Sequence, residues 1–299
     1  MEPERGLRSS DLPGIFHAAD LLSLGGQKAY LRHTRFRLWC MILAAVSASF
    51  SAAKFMPESS RSFLIATSLL LFISALTAEI SLLIAKPEDT WYRGRAVAES
   101  AKTLAWKFSM RAAPFHSAPH VESAERTLLE HLRRLCSEAP SSLGAHLTES
   151  TQITESMRQL RSSSSMIRRK AYLNGRIKEQ RKWYQQRAAR NLKASRRWRV
   201  FLLMLESLGA AGCVLLLVKP SSFDMGGFIA AGVASGGAWI EVKQFDTLAS
   251  AYSLTSSELS LIANDGELVT TDDEFLAYVI SAEHAISREH TMWLARRSI

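Results

Sequence analysis

Four long apolar runs dominate the sequence and restrict what the chain can fold into. They cover approximately residues 38–56, 63–85, 200–218 and 226–242. About 20 apolar residues at 1.5 Å per residue cross the ~30 Å hydrocarbon core of a bilayer. The second and third runs therefore predict membrane spans by themselves, whereas the serine-rich first run and the short, glycine-rich fourth run depend on their neighbours. The alternative is four buried helices of a soluble bundle, but these runs lack the polar face that a soluble helix keeps.

The runs form two pairs, each closed by a short polar turn. The first turn is Pro57-Glu58-Ser59-Ser60 and the second is Lys219-Pro220-Ser221-Ser222, both too short to fold by themselves. Cations flank the outer ends of the spans, as Arg35 and Arg37 do before the first, and are scarce in the turns. By the positive-inside rule, both termini and the middle of the chain are cytoplasmic. The predicted fold is an all-α integral membrane protein, with two transmembrane helical hairpins (four spans) and a cytoplasmic helical bundle.

The two hairpins resemble each other in sequence. Arg35-Phe36-Arg37-Leu38-Trp39 recurs as Arg197-Trp198-Arg199-Val200-Phe201, and each hairpin is followed by a polar helix, over residues 90–110 and 242–263. Such an internal repeat indicates a tandem architecture. We predict a first module over residues 15–115, a helical linker over residues 116–165 and a second module over residues 166–299.

The basic charge of the chain is concentrated in one predicted helix. The chain has a net charge of +9, and residues 166–199 alone hold thirteen basic residues against Glu179. This helix continues into the third span, and attraction to anionic lipid of the inner leaflet is our first interpretation of it. Binding of nucleic acid or nucleotides, with Trp183, Tyr184 and Trp198 between the cations, is a second, and pairing with the acid-rich C-terminal segment is a third. The membrane-proximal cations are Arg176, Lys178, Arg181, Lys182, Arg187, Arg190, Arg196, Arg197 and Arg199.

The C-terminal segment carries a clear helix start. Thr271-Asp272-Asp273-Glu274 forms a capping box, in which the threonine hydroxyl accepts from a backbone amide and the glutamate accepts from the threonine amide. Apolar residues then recur at helical spacing as far as Trp293. We predict that this helix packs against another cytoplasmic helix, most simply the basic one.

Acidic residues inside the apolar runs are candidates for function, because an ionisable group within a membrane is costly. Glu79 and Glu206 each lie about six residues, roughly 9 Å, from the predicted cytoplasmic end of their spans. Glu241 is the acid of the fourth run. In an oligomer these acids would form rings that favour cations. The alternative is that they meet local water or pair with arginines such as Arg199.

Small residues recur every four positions in the fourth run. Such spacing lets helix backbones approach closely in lipid, within one chain or between copies of it, although plain apolar filling is the alternative. The residues concerned are Gly227, Ala231, Gly232 and Gly236.

No catalytic, cofactor or metal site is evident in the sequence. The chain lacks GxxxxGK[ST], HExxH and nucleophile-elbow motifs, and its three cysteines are scattered. We therefore expect neither an enzyme nor a bound cofactor or metal ion.

Longer motifs lie on the predicted cytoplasmic segments. In the first module they are carried by Trp91, Arg95, Glu99, Trp106 and Pro114. In the second module they are carried by Trp183, Tyr184, Tyr252, Glu258, Arg288, Glu289 and Trp293. On these motifs the chain resembles the bacterial SLATT proteins, two-transmembrane effectors associated with nucleotide-synthesising and nucleotide-sensing domains.

The resemblance implies a non-enzymatic membrane effector of a conflict or anti-phage system, which oligomerises and permeabilises the inner membrane when triggered. It also implies that the motif residues couple the cytoplasmic helices, with helix packing and salt bridges as the simpler alternative. The expected partners are anionic membrane lipid, further copies of the chain, and a separate sensor or nucleotide-signal-generating protein; direct nucleic-acid binding is not expected. The alternative function is a non-conducting, membrane-anchored sensor or scaffold that recruits a cytoplasmic partner.

Overall fold

The computed structural model describes residues 6–116, 120–139, 141–147, 151–218 and 225–295, and its regular structure there is entirely helical. This confirms the all-α class predicted from the sequence. In chain order the α-helices are α1 (Gly14–Ser51), α2 (Glu58–Ala85), α3 (Pro87–Ser109), α4 (Val121–Glu138), α5 (Glu155–Ser162), α6 (Ser165–Tyr172), α7 (Glu179–Val218), α8 (Gly226–Lys243), α9 (Phe245–Leu268) and α10 (Asp272–Ala295).

The helices divide into two compact units that cut across the predicted modules. The bundle unit consists of the described residues of Met1–Gln27, Glu88–Ala188 and Ser250–Ile299, and the hairpin unit consists of those of Lys28–Pro87 and Ala189–Ala249. Each unit therefore takes segments from both halves of the chain. The apolar helices of both halves pack together in the hairpin unit, and the amphipathic helices pack together in the bundle unit.

The first hairpin turns earlier than the sequence predicts. Helix α1 ends at Ser51 and α2 begins at Glu58, so residues 52–57 form the turn in place of the predicted residues 57–60. Pro57 stands before α2 with φ −60° and ψ 149°. Proline suits this position because its fixed φ is compatible with the first turn of a helix but not with its interior. The predicted second turn, residues 219–222, lies outside the described residues.

Both hairpins end their second apolar helix by the same backbone conformation. Lys86 after α2 and Gln244 after α8 are left-handed, with φ of 42° and 47°. Their N–H groups donate to the carbonyls of Leu82 at 3.1 Å and Ile240 at 2.8 Å. This single-residue cap ends one helix and lets the next begin directly. Because it occurs at the corresponding place in both halves, it agrees with the sequence repeat.

Two helical runs, Glu58–Ser109 and Ser165–Val218, are long and apolar enough to cross a membrane. In their most apolar windows only 17% and 0% of the residues are buried within the protein, so neither window is the core helix of a soluble fold. Within the described part of the chain, α1 and α8 do not reach the same criterion. Serines and arginines dilute α1, and α8 contains five glycines.

The basic segment and the third apolar run form one continuous helical run, as predicted. Helix α6 passes into a π-helical segment, Leu173–Lys178, which leads directly into α7. A π segment widens the helix locally and shifts the direction of the side chains that follow, and such segments are frequent at functional sites. Here it places Arg176 and Ile177 in the interior of the bundle unit.

The core of the bundle unit combines aromatic side chains from both halves of the chain. Trp106 of α3, Tyr172 of α6 and Phe275 of α10 are among its buried members. The predicted linker belongs to this core, because Leu128 and Leu132 of its amphipathic helix α4 are buried there. The described residues of the predicted helical linker are thus packed into the bundle unit.

Helix α10 begins with the predicted capping box. The N–H of Thr271 donates to Oε2 of Glu274 at 3.1 Å, and the N–H of Glu274 donates to Oγ1 of Thr271 at 3.3 Å. The prediction that this helix packs against the basic segment is also confirmed, because Glu283 of α10 contacts Tyr172 and Arg176.

Candidate functional site

A buried ion pair from the second half of the chain lies inside the bundle unit, and a hydrogen bond from Thr103 joins it to the first half. Nε and Nη2 of Arg176 donate to Oε1 and Oε2 of Glu283, both at 2.8 Å, and the two side chains are 1% and 0% exposed. The Tyr172 hydroxyl donates to Oε1 at 3.0 Å, and Oγ1 of Thr103 on α3 donates to Oε2 at 2.9 Å. The carboxylate therefore accepts four hydrogen bonds, which offset the cost of burying its charge.

The electrostatics of this pair fix its protonation. Burial by itself disfavours the charged guanidinium, but the charge and hydrogen bonds of Glu283 raise the pKa of Arg176 above its ordinary value. Burial, followed by the same carboxylate, raises the pKa of Tyr172, so the phenol stays protonated and donates. Nη1 of Arg176 has no hydrogen-bond partner among the described residues. Moving Arg176 away from Glu283 would therefore leave a buried charge without its partner.

A second buried carboxylate, that of Glu99, lies on α3 one helical turn before Thr103. Glu99 is 5% exposed; its Oε1 is 2.7 Å from Nη2 of Arg95, and its Oε2 is 3.7 Å from Nζ of Lys102. Burial lowers the pKa of Lys102, Glu99 opposes this shift, and the positive charges of Arg176 and Arg95 add to it. The two carboxylates thus share one electrostatic environment. We name it the buried ion cluster, and its members are Arg95, Glu99, Lys102, Thr103, Tyr172, Arg176 and Glu283.

The buried ion cluster corrects one sequence prediction and extends others. Arg176 is not a lipid-facing cation, because the π segment places it in the core of the bundle unit beside Tyr172. The motif residues Arg95 and Glu99 are brought together with it. The sequence predicted Glu283 only as one acid of the acid-rich C-terminal segment. Its burial could have been inferred, because it lies on the same helical face as the apolar Val279 and Ile286, which are also buried.

Most of the predicted aromatic motif residues lie beside this cluster. Trp106 meets Tyr172 edge to face, with ring centroids 5.7 Å apart. The ring centroid of Tyr252 on α9 lies 5.6 Å from the ring centroids of both Trp183 and Tyr184 on α7. These contacts pack the motif residues of the two halves into one core, where aromatic pairs add about 0.5–1.5 kcal/mol beyond area burial.

The remaining motif residues lie apart from the buried ion cluster. Pro114 is exposed in the turn after α3, and Glu258 is half-buried on α9. The side chains of three predicted residues lie outside the described part of the chain; these are Arg288, Glu289 and Trp293.

The turn that contains Pro114 is held by Arg161, a residue in no motif of the sequence. Nη1 and Nη2 of the buried Arg161 donate to the carbonyls of Phe108 at 2.6 Å and Phe115 at 3.0 Å. Burial, together with nearby arginines, lowers the pKa of Arg161 to about 10. A cation at the end of α3 is favourable, since the C-terminal carbonyls of a helix carry partial negative charge.

The predicted intramembrane acids do not meet one another within the described part of the chain. Glu79 of α2 forms an ion pair with Arg37 of α1, whereas the side chains of Glu206 and Glu241 are exposed. Arg199, which the sequence offered as a partner for these acids, pairs with Asp246 instead. A ring of acids would require several copies of the chain, so this prediction stays a prediction.

The small residues of α8 pack against α7 inside the hairpin unit. A Cβ on Gly236 would lie 2.6 Å from Cδ2 of Leu202, and one on Gly232 would lie 3.2 Å from Cδ2 of Leu205. Close approach of the two helices therefore depends on glycine at these positions. Ala231 lines an apolar cavity of about 570 Å³ beside Glu79, and Gly227 is exposed.

The other basic residues of the predicted helix fall into two groups. Some are engaged by the body of the protein: Lys178 lies 3.8 Å from Glu267, Arg181 donates to Ser260 at 3.4 Å, and Arg187 stacks 5.2 Å from the ring of Trp183. The side chains of the second group are exposed on α7, and these are Lys182, Arg190, Lys193, Arg196 and Arg197.

Comparison with known families agrees with the tandem repeat. Residues 13–169 match the family described as SMODS and SLOG-associating 2TM effector domain 3, and residues 172–293 match the one described as SMODS and SLOG-associating 2TM effector domain 1. No curated protein and no solved structure matches the chain. The first match covers residues 13–169 and hence more than half of the chain, and the second covers most of the remainder. The chain therefore belongs to the SLATT family of membrane effector domains and carries two of these domains in tandem.

Proposed function

We propose that this protein is a non-enzymatic effector of a bacterial conflict system that oligomerises and permeabilises the inner membrane when a separate partner triggers it. The family description supports the effector role. The observation that carries the membrane part is the hairpin unit, whose large apolar side chains point outward: Phe63, Leu70, Ile84 and Leu217 are 71%, 64%, 78% and 84% exposed. A soluble protein rarely exposes an apolar surface of this kind.

In this proposal all four apolar helices span the bilayer. The second half of α1 and helix α8 are less apolar than the other two, but α8 packs on α7 through its glycines, and the Arg37–Glu79 ion pair joins α1 to α2. An ion pair removes much of the cost of a charge within a membrane. The exposed cations of α7 would lie at the inner leaflet and contact anionic lipid, with both termini cytoplasmic.

The buried ion cluster is the proposed link between trigger and membrane. It draws Glu99 and Thr103 from the first SLATT domain, and Arg176 and Glu283 from the second. A displacement of either domain would break the hydrogen bond that Thr103 donates to Glu283 and would move the Glu99 carboxylate away from the Arg176 guanidinium, and both losses are costly because Glu283, Glu99 and Arg176 are buried. This makes it suited to a switch that a partner biases.

The experiment that tests the proposal is phage challenge of a bacterial host carrying the full chain together with the genes that flank it in its source genome. We expect uptake of propidium, a membrane-impermeant dye, before lysis. Gly236→Leu, whose side chain would overlap Leu202 of α7, should abolish uptake, whereas the matched Gly237→Leu should retain it, because a Cβ at Gly237 has no neighbour within 4 Å. Dye uptake equal to that of a host without the chain would contradict permeabilisation.

The second candidate is a non-conducting membrane anchor that recruits a cytoplasmic partner. The Arg37–Glu79 ion pair favours it, because a neutralised acid provides no free charge for cation selection. The same challenge separates the two functions: protection from phage without any dye uptake would support the anchor.

A further inference from the structure

We infer that the hairpin unit holds one anionic phospholipid, with an acyl chain in the groove between α1, α7 and α8 and the headgroup at Arg35. This inference rests on the proposed embedding of the hairpin unit in a membrane. The groove encloses about 520 Å³, within the range typical of small-molecule sites, and like them it is lined by apolar and aromatic side chains with few polar groups.

The groove has two chemically different ends. Three tryptophans, Trp39, Trp198 and Trp239, line the groove together with Arg35, whose guanidinium lies 5.8 Å from the ring centroid of Trp239. Nζ of Lys243 lies at the same distance from that ring. Tryptophan and cations together characterise the headgroup level of a membrane. The remainder of the lining is apolar as far as Leu208 and Phe228, apart from one serine.

The dimensions fit one lipid leaflet. From Trp198 to Leu208 the groove follows ten residues of α7, about 15 Å at 1.5 Å per residue. This is half of the ~30 Å hydrocarbon core, the depth that the chains of one leaflet occupy. The three tryptophans therefore match the headgroup level of a single phospholipid, and the apolar part of the lining matches the length of its acyl chain.

The occupant has to suit both ends of the groove, with an apolar part against the apolar lining and a negatively charged part at the rim beside Arg35. The charge at the rim selects the headgroup: none of the lining residues is acidic, and Arg35 has no carboxylate within ion-pair distance among the described residues. The phosphodiester of an anionic phospholipid would supply the negative charge that Arg35 lacks, and no acidic lining residue would repel it.

Native mass spectrometry of the purified, delipidated full chain in detergent tests the site, with palmitoyl-oleoyl phosphatidylglycerol and phosphatidylcholine of the same chains as probes. We expect one phosphatidylglycerol retained per chain and little phosphatidylcholine. Ile42→Trp, which fills the groove, should reduce retention at least tenfold, whereas Leu43→Trp on the exposed side of α1 should not. Arg35→Gln should lower the preference for phosphatidylglycerol about fivefold, the effect of one cation at a membrane surface, and Arg32→Gln should leave it unchanged.

Equal retention by Ile42→Trp and Leu43→Trp would overturn the inference. So would a dimer that forms without lipid and is lost only in Ile42→Trp, because the groove would then belong to a second copy. Failure of the proposed function is recognised separately: extraction of the wild-type chain from membranes by alkaline carbonate would show that it is not integral. An integral chain whose groove variants retain lipid normally would refute the lipid site alone.

Discussion

Replacing Glu283 with leucine should destabilise the protein more than any single change at an exposed ion pair. The substitution removes a carboxylate that accepts four hydrogen bonds, two of them from Arg176 at 2.8 Å. It leaves a fully buried guanidinium without its counter-charge. Removing one partner of a buried pair costs about 3–5 kcal/mol, and we expect Glu283→Leu to lower the free energy of unfolding by that amount.

The matched control is Glu267→Leu, which removes the carboxylate from an exposed pair. Lys178 and Glu267 lie 3.8 Å apart, and their side chains are 47% and 63% exposed, so the loss should stay within about 1 kcal/mol. The double variant Arg176→Leu with Glu283→Leu leaves no uncompensated charge. It should therefore be less destabilised than the sum of the two single variants, with a coupling of about 2–3 kcal/mol.

Denaturant unfolding of the full chain in detergent micelles measures these differences. Tryptophan fluorescence is a suitable signal because Trp106 packs against Tyr172 inside the bundle unit. If Glu283→Leu were no more destabilising than Glu267→Leu, or if the single effects added without coupling, the role given to the buried ion cluster would be refuted.

Three further predictions concern other parts of the chain. Gly236→Leu should reduce stability by about 1–3 kcal/mol, because even its Cβ would lie 2.6 Å from a leucine methyl of α7, whereas Gly237→Leu should change the unfolding midpoint little; equal midpoints would contradict the packing. In the proposed pore, Glu79→Gln combined with Glu206→Gln should shift the reversal potential in bilayer recordings, because it removes the charge of the exposed Glu206 and leaves Arg37 without its counter-charge, and an unchanged potential would exclude these acids from selectivity. The amides of Thr270 and Thr271 hold the pKa of Glu274 below its ordinary 4.5; the stabilisation it gives is therefore present above that value and lost as pH falls through the lowered pKa. The protection factors for hydrogen exchange in the first turn of α10, which correct for the slower intrinsic exchange at low pH, should fall over this range in the wild type and change less in Glu274→Gln.

Patterns with a local physical cause were predictable from the sequence. The apolar runs, the capping box at Thr271 and the continuous helix leading into the third run each follow from neighbouring residues, and the structure contains all three. The family resemblance was also correct, because it rested on motifs spread over both halves.

Features that depend on contacts distant in sequence were not predictable. A count of charges cannot show that Arg176 is buried, since its partner Glu283 is 107 residues away. The grouping of segments from both halves into two units is likewise a property of packing, which periodicity does not reveal. The shift of the first turn to residues 52–57 has a local cause in Pro57, but the sequence pattern alone did not distinguish the residue that precedes a helix from one inside a turn.

The most direct test of the central claim is the membrane topology of the two hairpins. Single cysteines at Ser59, Ser222, Ser137 or Ser257, in a chain whose native cysteines are replaced by serine, are exposed to a membrane-impermeant maleimide in intact spheroplasts and again after lysis. Two hairpins that both span the membrane predict labelling of positions 59 and 222 in intact spheroplasts, and of positions 137 and 257 only after lysis. Labelling of all four positions only after lysis, or of position 59 without position 222, would contradict the four-span account.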